Sequence, residues 1–200
     1  PLGLPANFVI AGEEERQALL KQALPEAGES ERERLLGAIS AAKNRLLGPD
    51  ALELDEEIRA AYRTYEAALA AAQMLDFDDL LLVAVRLLEA APDVLAGVQR
   101  RYRWISVDEY QDVNLAQYRL LQLVAGGSAN LCVIGDPDQA IYGFRGADPR
   151  YFQNFQDDYP EAQLLRLRQN YRAPQTLLAA AQQVIARSGD GAGRATWSAF

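Results

Sequence analysis

Asp108 and Glu109 are adjacent carboxylates at the end of a short apolar run, Trp104-Ile105-Ser106-Val107. Two neighbouring acids placed this way suit hydrolysis of a phosphoanhydride. The first would hold Mg²⁺, usually through water, and the second would orient or deprotonate the attacking water. The β-branched residues before them predict a buried strand, and open parallel α/β sheets bind their ligands beyond the C-terminal tips of strands. An acidic strand-to-loop boundary without chemical duty fits the same pattern. The neighbours must decide.

Two further stretches follow apolar runs in the same way. Leu131 to Ile134 predicts a second buried strand, and Gly135-Asp136 comes directly after it. Residues 135–148 read G-D-P-D-Q-A-I-Y-G-F-R-G-A-D, with an amide at Gln139, rings at Tyr142 and Phe144, and a guanidinium at Arg145. Gly143 and Gly146 let the backbone turn tightly and expose the rings. Such a platform suits single-stranded nucleic acid of any sequence, since each stacked base is worth roughly 1–3 kcal/mol. A plain loop whose aromatics fold back onto the core is the competing reading. Ala162 to Leu167 predicts a third strand, ahead of Gln169-Asn170-Tyr171-Arg172. An arginine there can reach a terminal phosphate, and a tyrosine can stack on a base.

The elements that must position these residues follow from periodicity and capping. Asn7 to Leu24 predicts a short extended segment and then a helix, whose acids Glu13 to Glu15 complement its N-terminal dipole. Ser30 and Glu33 fit a capping box ahead of Leu35, Leu36 and Ile39. A third helix is predicted from about Leu54 to Gln73, with Tyr62 and Tyr65 as packing residues. Residues 1–75 thus read as an all-helical, acidic subdomain. Asp76 caps a buried helix running to Ala90, and the D-x-D-D cluster at 76–79 is accounted for by dipole complementation. Pro92 opens a short helix to about Arg100. Asn114 to Val124 predicts another helix, residues 149–158 a short one, and Pro174 to Arg187 the last. The Gly-rich tail from Ser188 reads as a linker. Alternating strands and helices imply a parallel sheet, with three strand ends lining one edge.

Composition excludes several classes. Of 200 residues, half are apolar, yet no run is long enough to span a membrane, and the N-terminus lacks the features of a signal peptide. A cytoplasmic protein is expected. Histidine is absent and Cys132 is the only cysteine, which removes His-based triads and intrachain disulfides. Cys132 reads as a small core residue. The net charge is −8, and the first hundred residues carry it, with 18 acids against 10 bases. Binding to nucleic acid through a broadly basic surface is therefore excluded.

V-D-E-Y-Q-D-V-N at 107–114, I-G-D-P-D-Q-A-I-Y-G-F-R-G-A-D at 134–148 and L-R-Q-N-Y-R at 167–172 resemble, in order and spacing, motifs II, III and IV of the UvrD/Rep/PcrA family of superfamily-one DNA helicases. The resemblance extends to L-D-F-D-D-L-L at 75–81 and A-I-S-A-A-K-N-R-L-L at 38–47, and so to most of residues 7–187. It implies an α/β fold: a partial RecA-like parallel sheet flanked by helices, with the helical N-terminal subdomain corresponding to most of the 1B insertion. Residues 76–187 would be the later half of the 1A core, and 188–200 a linker.

Carried over by resemblance, Asp108 and Glu109 would bind Mg²⁺, with Glu109 as catalytic base. Gln139 and Arg172 would contact the γ-phosphate of ATP, and Tyr171 would pack on adenine. Tyr142, Phe144 and Arg145 would contact single-stranded DNA. The family usually has Trp at the place of Phe144, so the stacking area is smaller here.

The resemblance also implies parts outside these residues. No G-x-x-x-x-G-K-S/T motif surrounds Lys21 or Lys43. A P-loop segment is expected before residue 1, and a second RecA-like domain with an arginine finger after residue 200. The expected whole is an ATP-dependent helicase moving 3′ to 5′ in repair or recombination. The chain alone is expected to be inactive, with an exposed sheet edge. A non-catalytic module binding DNA or protein is the alternative, and the helicase portion of a helicase–nuclease fusion a third.

Overall fold

A computed structural model describes residues 7–127, 130–187 and 197–198. Three helices, α1 (Glu13–Ala23), α2 (Glu29–Asn44) and α3 (Glu56–Ala71), enclose the first core. Leu20, Leu35, Leu36, Ile39, Tyr62, Tyr65 and Leu69 meet there, at the helical spacing that the sequence predicts. Within this helical part, β1 (Val9–Ala11) lies parallel to β2 (Met74–Asp76), with Val9 opposite Met74. The Ser30–Glu33 box does not form. The helix starts two residues earlier than that box requires, with Gly28 at the cap and no side-chain cap bond, which places Ser30 inside the first turn.

The centre of this part is charged. Lys43 is fully buried, its Nζ 2.9 Å from Asp76 Oδ2 and 2.7 Å from Asp79 Oδ1. Glu66 Oε1 lies 2.8 Å away, as a charge pair rather than a directed hydrogen bond. The rings of Tyr62 and Tyr65 flank the ammonium at 5.6 and 5.2 Å. The Tyr65 hydroxyl donates to Asp76 Oδ2 (3.1 Å) and accepts from Arg16 Nε (3.2 Å). One cation thus ties α2 and α3 to the start of the next helix, α4 (Phe77–Ala90).

Burial opposes the charge on Asp76, but the Lys43 charge and hydrogen bond bring its pKa below the usual carboxylate value. Asp79 goes the other way: burial, then the adjacent Asp76 charge, push it up to about 6.

Asp76 also caps α4, as its sequence predicts, and Asp79, expected only to complement the dipole, completes a capping box with it. The helix packs against α2, α5 (Pro92–Arg101) and α6 (Leu115–Ala125). Asp78, in the first turn of α4, accepts from Ser40 (2.6 Å) and Asn44 (3.0 Å). Asn44 in turn accepts from Asn114 (2.7 Å), the cap of α6.

Helix α6 connects β3 (Trp104–Val107) to β4 (Asn130–Val133), a parallel pair with Trp104 opposite Asn130. The two strands are half-buried, not buried. Ile105, Val107, Leu131 and Val133 are partly covered, while Trp104, Ser106 and Cys132 alternate onto an open face. Cys132 is therefore exposed rather than part of a core. Among the described residues no third strand joins this pair, so both edges of it are free.

Short helices α7 (Arg150–Gln153) and α8 (Phe155–Asp158) follow. The strand predicted at 162–167 is absent. Leu164, Leu165 and Leu167 are exposed, because no neighbouring backbone offers that segment a ladder. Instead β5 (Gln169–Asn170) pairs in parallel with β6 (Trp197–Ser198), and α9 (Gln175–Arg187) lies between them in sequence. The linker reading of the tail falls largely outside the described residues.

Candidate active site

The strand β3 ends at Val107, and the chain turns at once. Glu109 adopts a left-handed conformation (φ 52°, ψ 40°), one of three such non-glycine residues described. This geometry costs an L-residue about 1 kcal/mol or more. Local support comes from Asp108, whose Oδ1 accepts the Glu109 N–H at 2.9 Å. A 3₁₀ turn, Tyr110–Asp112, follows. Both acids are exposed, and among the described residues neither has a basic partner.

Two buried residues of that turn anchor it. The Tyr110 ring packs on Phe155 edge-on (centroids 5.6 Å) and on Phe152 (6.1 Å). Its N–H donates to Ile134 O (2.9 Å), and Ile134 N–H donates to Val107 O (2.8 Å). Gln111, 1% exposed, donates from Nε2 to Glu109 Oε2 (2.8 Å) and accepts the Asp136 N–H at Oε1 (3.0 Å). Residues after β3 and after β4 are thereby joined at one edge.

The second loop has its own internal order. Asp136 Oδ1 accepts the Asp138 N–H (3.1 Å), and its Oδ2 accepts Gln139 Nε2 (2.8 Å). The loop holds two 3₁₀ turns, Pro137–Gln139 and Gly143–Arg145, and the latter ends at Gly146, whose φ of 83° suits glycine. Tyr142 and Phe144 lie 5.9 Å apart, and the Arg145 guanidinium sits 5.2 and 5.5 Å from their ring centres. Phe144 is 79% exposed, so the rings do not fold back onto a core. Asp148 is committed to Arg150, whose hydrogen bonds hold it below the usual carboxylate range, and its N–H donates to Val113 O.

Tyr171 and Arg172 are also exposed, but their hydrogen bonds stay local. The Tyr171 hydroxyl donates to Gln169 Oε1 (2.9 Å), and the Arg172 N–H donates to Asn170 Oδ1 (2.8 Å). The described contacts bring Asp108, Glu109 and Gln139 into one network and leave Tyr171 and Arg172 apart from it. An open cavity of ≈ 480 Å³ adjoins the two acids, walled by Asp112, Val113, Gln117 and the apolar side of α6.

The donor set fits Mg²⁺ better than a fully protein-ligated metal. Asp108 Oδ2 and the exposed Glu109 carboxylate supply hard oxygens, and no group of three or more ligating side chains occurs among the described residues. Magnesium is commonly bound by one or two carboxylates, with water and phosphate completing its shell.

Residues 2–160 match the sequence model of the UvrD/REP helicase N-terminal domain. The chain belongs to the UvrD/REP helicase family. Within it, an ATP-dependent DNA helicase PcrA of Staphylococcus epidermidis is 36% identical over 208 residues, covering 99% of this chain and 28% of that protein. A Staphylococcus aureus protein of the same name is 38% identical over the same span and share. This UvrD/REP-family chain therefore spans little more than a quarter of the length of those relatives. Among the described residues, no helix is long and apolar enough to cross a membrane.

Residue-type reasoning had no reason to single out Gln111. Its partners are an acid two residues back and a backbone N–H 25 residues ahead. The available signal was an amide two residues after an acid pair, within a stretch too short to form a regular helix.

Proposed function

We propose that these residues form part of an ATP-dependent DNA helicase that couples hydrolysis to 3′–5′ movement along single-stranded DNA and to duplex unwinding, in cytoplasmic DNA repair or recombination. The observation that carries this reading is the hydrogen-bonded path from Glu109 through Gln111 and Asp136 to Gln139, three residues before an exposed Tyr–Phe–Arg platform. A hydrolytic site and a base-stacking surface joined this closely suit a motor better than a passive binder.

Asp108 and Glu109 would hold Mg²⁺, which when bound neutralises charge on the phosphates. Glu109 would take the proton of the attacking water. The Gln139 amide now donates to Asp136, and a γ-phosphate oxygen is the acceptor that competes for it. Arg172 would contact the same phosphate and Tyr171 the adenine. Tyr142, Phe144 and Arg145 would hold bases and a phosphate of the DNA strand. A P-loop segment and a second RecA-like domain would complete the nucleotide cleft, so the 200-residue chain alone is expected to show no turnover.

Strand displacement by the full-length polypeptide with Mg-ATP tests this reading. A duplex with a 3′ tail should be opened and one with a 5′ tail left intact. DNA binding without ATP turnover would replace the motor by a helicase-like binding module.

A further inference from the structure

We propose that Gln111 is a positioning residue, fixing the Glu109 carboxylate and coupling it to the loop that carries Gln139. This builds on the reading of Glu109 as the base. Glu109 lies on an exposed, left-handed turn, where its side chain would otherwise sample many rotamers. A buried amide is the group that holds it: Gln111 Nε2 donates to Glu109 Oε2 at 2.8 Å, while Oε1 accepts the Asp136 N–H at 3.0 Å. Both ends of one planar amide are used, so the base cannot shift without disturbing Asp136. Asp136 in turn accepts from Gln139.

The loop is shaped for this contact. A Cβ at Gly135 would fall 2.5 Å from Gln111 Oε1 and 3.2 Å from the Tyr110 backbone nitrogen, so any other residue would push the amide aside. Glutamine also suits the place chemically. Glutamate would turn the donor facing Glu109 into a second negative charge, and an apolar residue would release both partners.

Steady-state ATP turnover of the full-length polypeptide, with saturating single-stranded DNA, separates the possibilities. Gln111→Leu removes these two bonds and a longer donation to Asp112 Oδ2 (3.3 Å); Gln111→Glu keeps the acceptor for Asp136 and loses the donor. Each should lower kcat at least about tenfold and leave KM for ATP within about threefold, because the group lost orients the base without binding nucleotide. In a Glu109→Gln background, Gln111→Leu should cost less than about twofold more, since the residue acts through Glu109.

A folded Gln111→Leu with kcat within about twofold of wild type overturns the proposal. So does an equal further loss in the Glu109→Gln background, which marks a structural role. If the Leu variant fails to fold, the Glu variant, of the same size, carries the test. Glu109→Gln run alone separates the two readings. Full turnover there removes the base assignment; lost turnover beside a fully active Gln111→Leu removes only the positioning role.

Discussion

Two acid pairs stand at strand-to-helix junctions in this chain, Asp76 with Asp79 and Asp108 with Glu109, and their surroundings are opposite. The first pair is buried, hydrogen-bonded through a capping box, and neutralised by Lys43 from 33 residues upstream. The second is exposed, without a described basic partner, and is held by the Gln111 amide and by a backbone N–H. An acid whose charge is already balanced by a buried ammonium has little left for a cation or a water. An acid steered by neutral donors keeps its charge for a ligand. Carboxylate chemistry here is decided by the partner: an ammonium 33 residues away for the first pair, neutral donors within two residues for the second.

If that contrast is right, perturbing the first pair should cost stability and perturbing the open site should cost function. Lys43→Met should be the most damaging change, destabilising the fold by about 3–5 kcal/mol, because it strands buried carboxylates; urea unfolding measures it. Retained stability would mean that the buried acids simply take up protons.

In the open half, Phe144→Ala should weaken single-stranded DNA binding by roughly 1–3 kcal/mol, read by fluorescence anisotropy of a labelled oligonucleotide, without shifting the melting temperature. A loss of stability instead would make the platform a packing element.

The buried half should also show itself in pH dependence. Asp79, raised to about 6 by burial and the Asp76 charge, keeps its proton in the folded state between about pH 4 and 6, where the unfolded chain has released it. Folding stability should therefore fall as pH climbs through that window. The contribution is on the order of 3 kcal/mol and disappears in Asp79→Asn. The same unfolding series on both proteins reads the difference, and parallel curves would contradict the assignment. Smallest of all, Glu109→Gln should change stability by no more than about 0.5 kcal/mol, since the group is exposed.

Much of this was legible from residue order. Helices that bury a periodic face, such as the one carrying Tyr62 and Tyr65, and caps such as Asp76 with Asp79 depend on neighbours within one or two turns. The parallel pairing of the two strands before Asp108 and Gly135 followed from the helix between them. Failures came where distant partners decide. The segment 162–167 has the apolar content of a strand but no adjoining ladder, and Cys132 lies in an apolar run whose alternate residues face an open side. Ser30 lost its capping role because the helix begins ahead of it. Lys43 and Gln111 were opaque for the same physical reason: an ion pair 33 residues apart and an amide bridge 25 residues apart leave no local pattern.

The central claim is that Glu109 drives ATP hydrolysis and does not serve the fold. DNA-stimulated ATP turnover of the full-length polypeptide, compared with Glu109→Gln and paired with melting curves, tests it most directly. The account predicts a fall of at least about 100-fold with an unchanged melting temperature. Turnover within about twofold of wild type would contradict it.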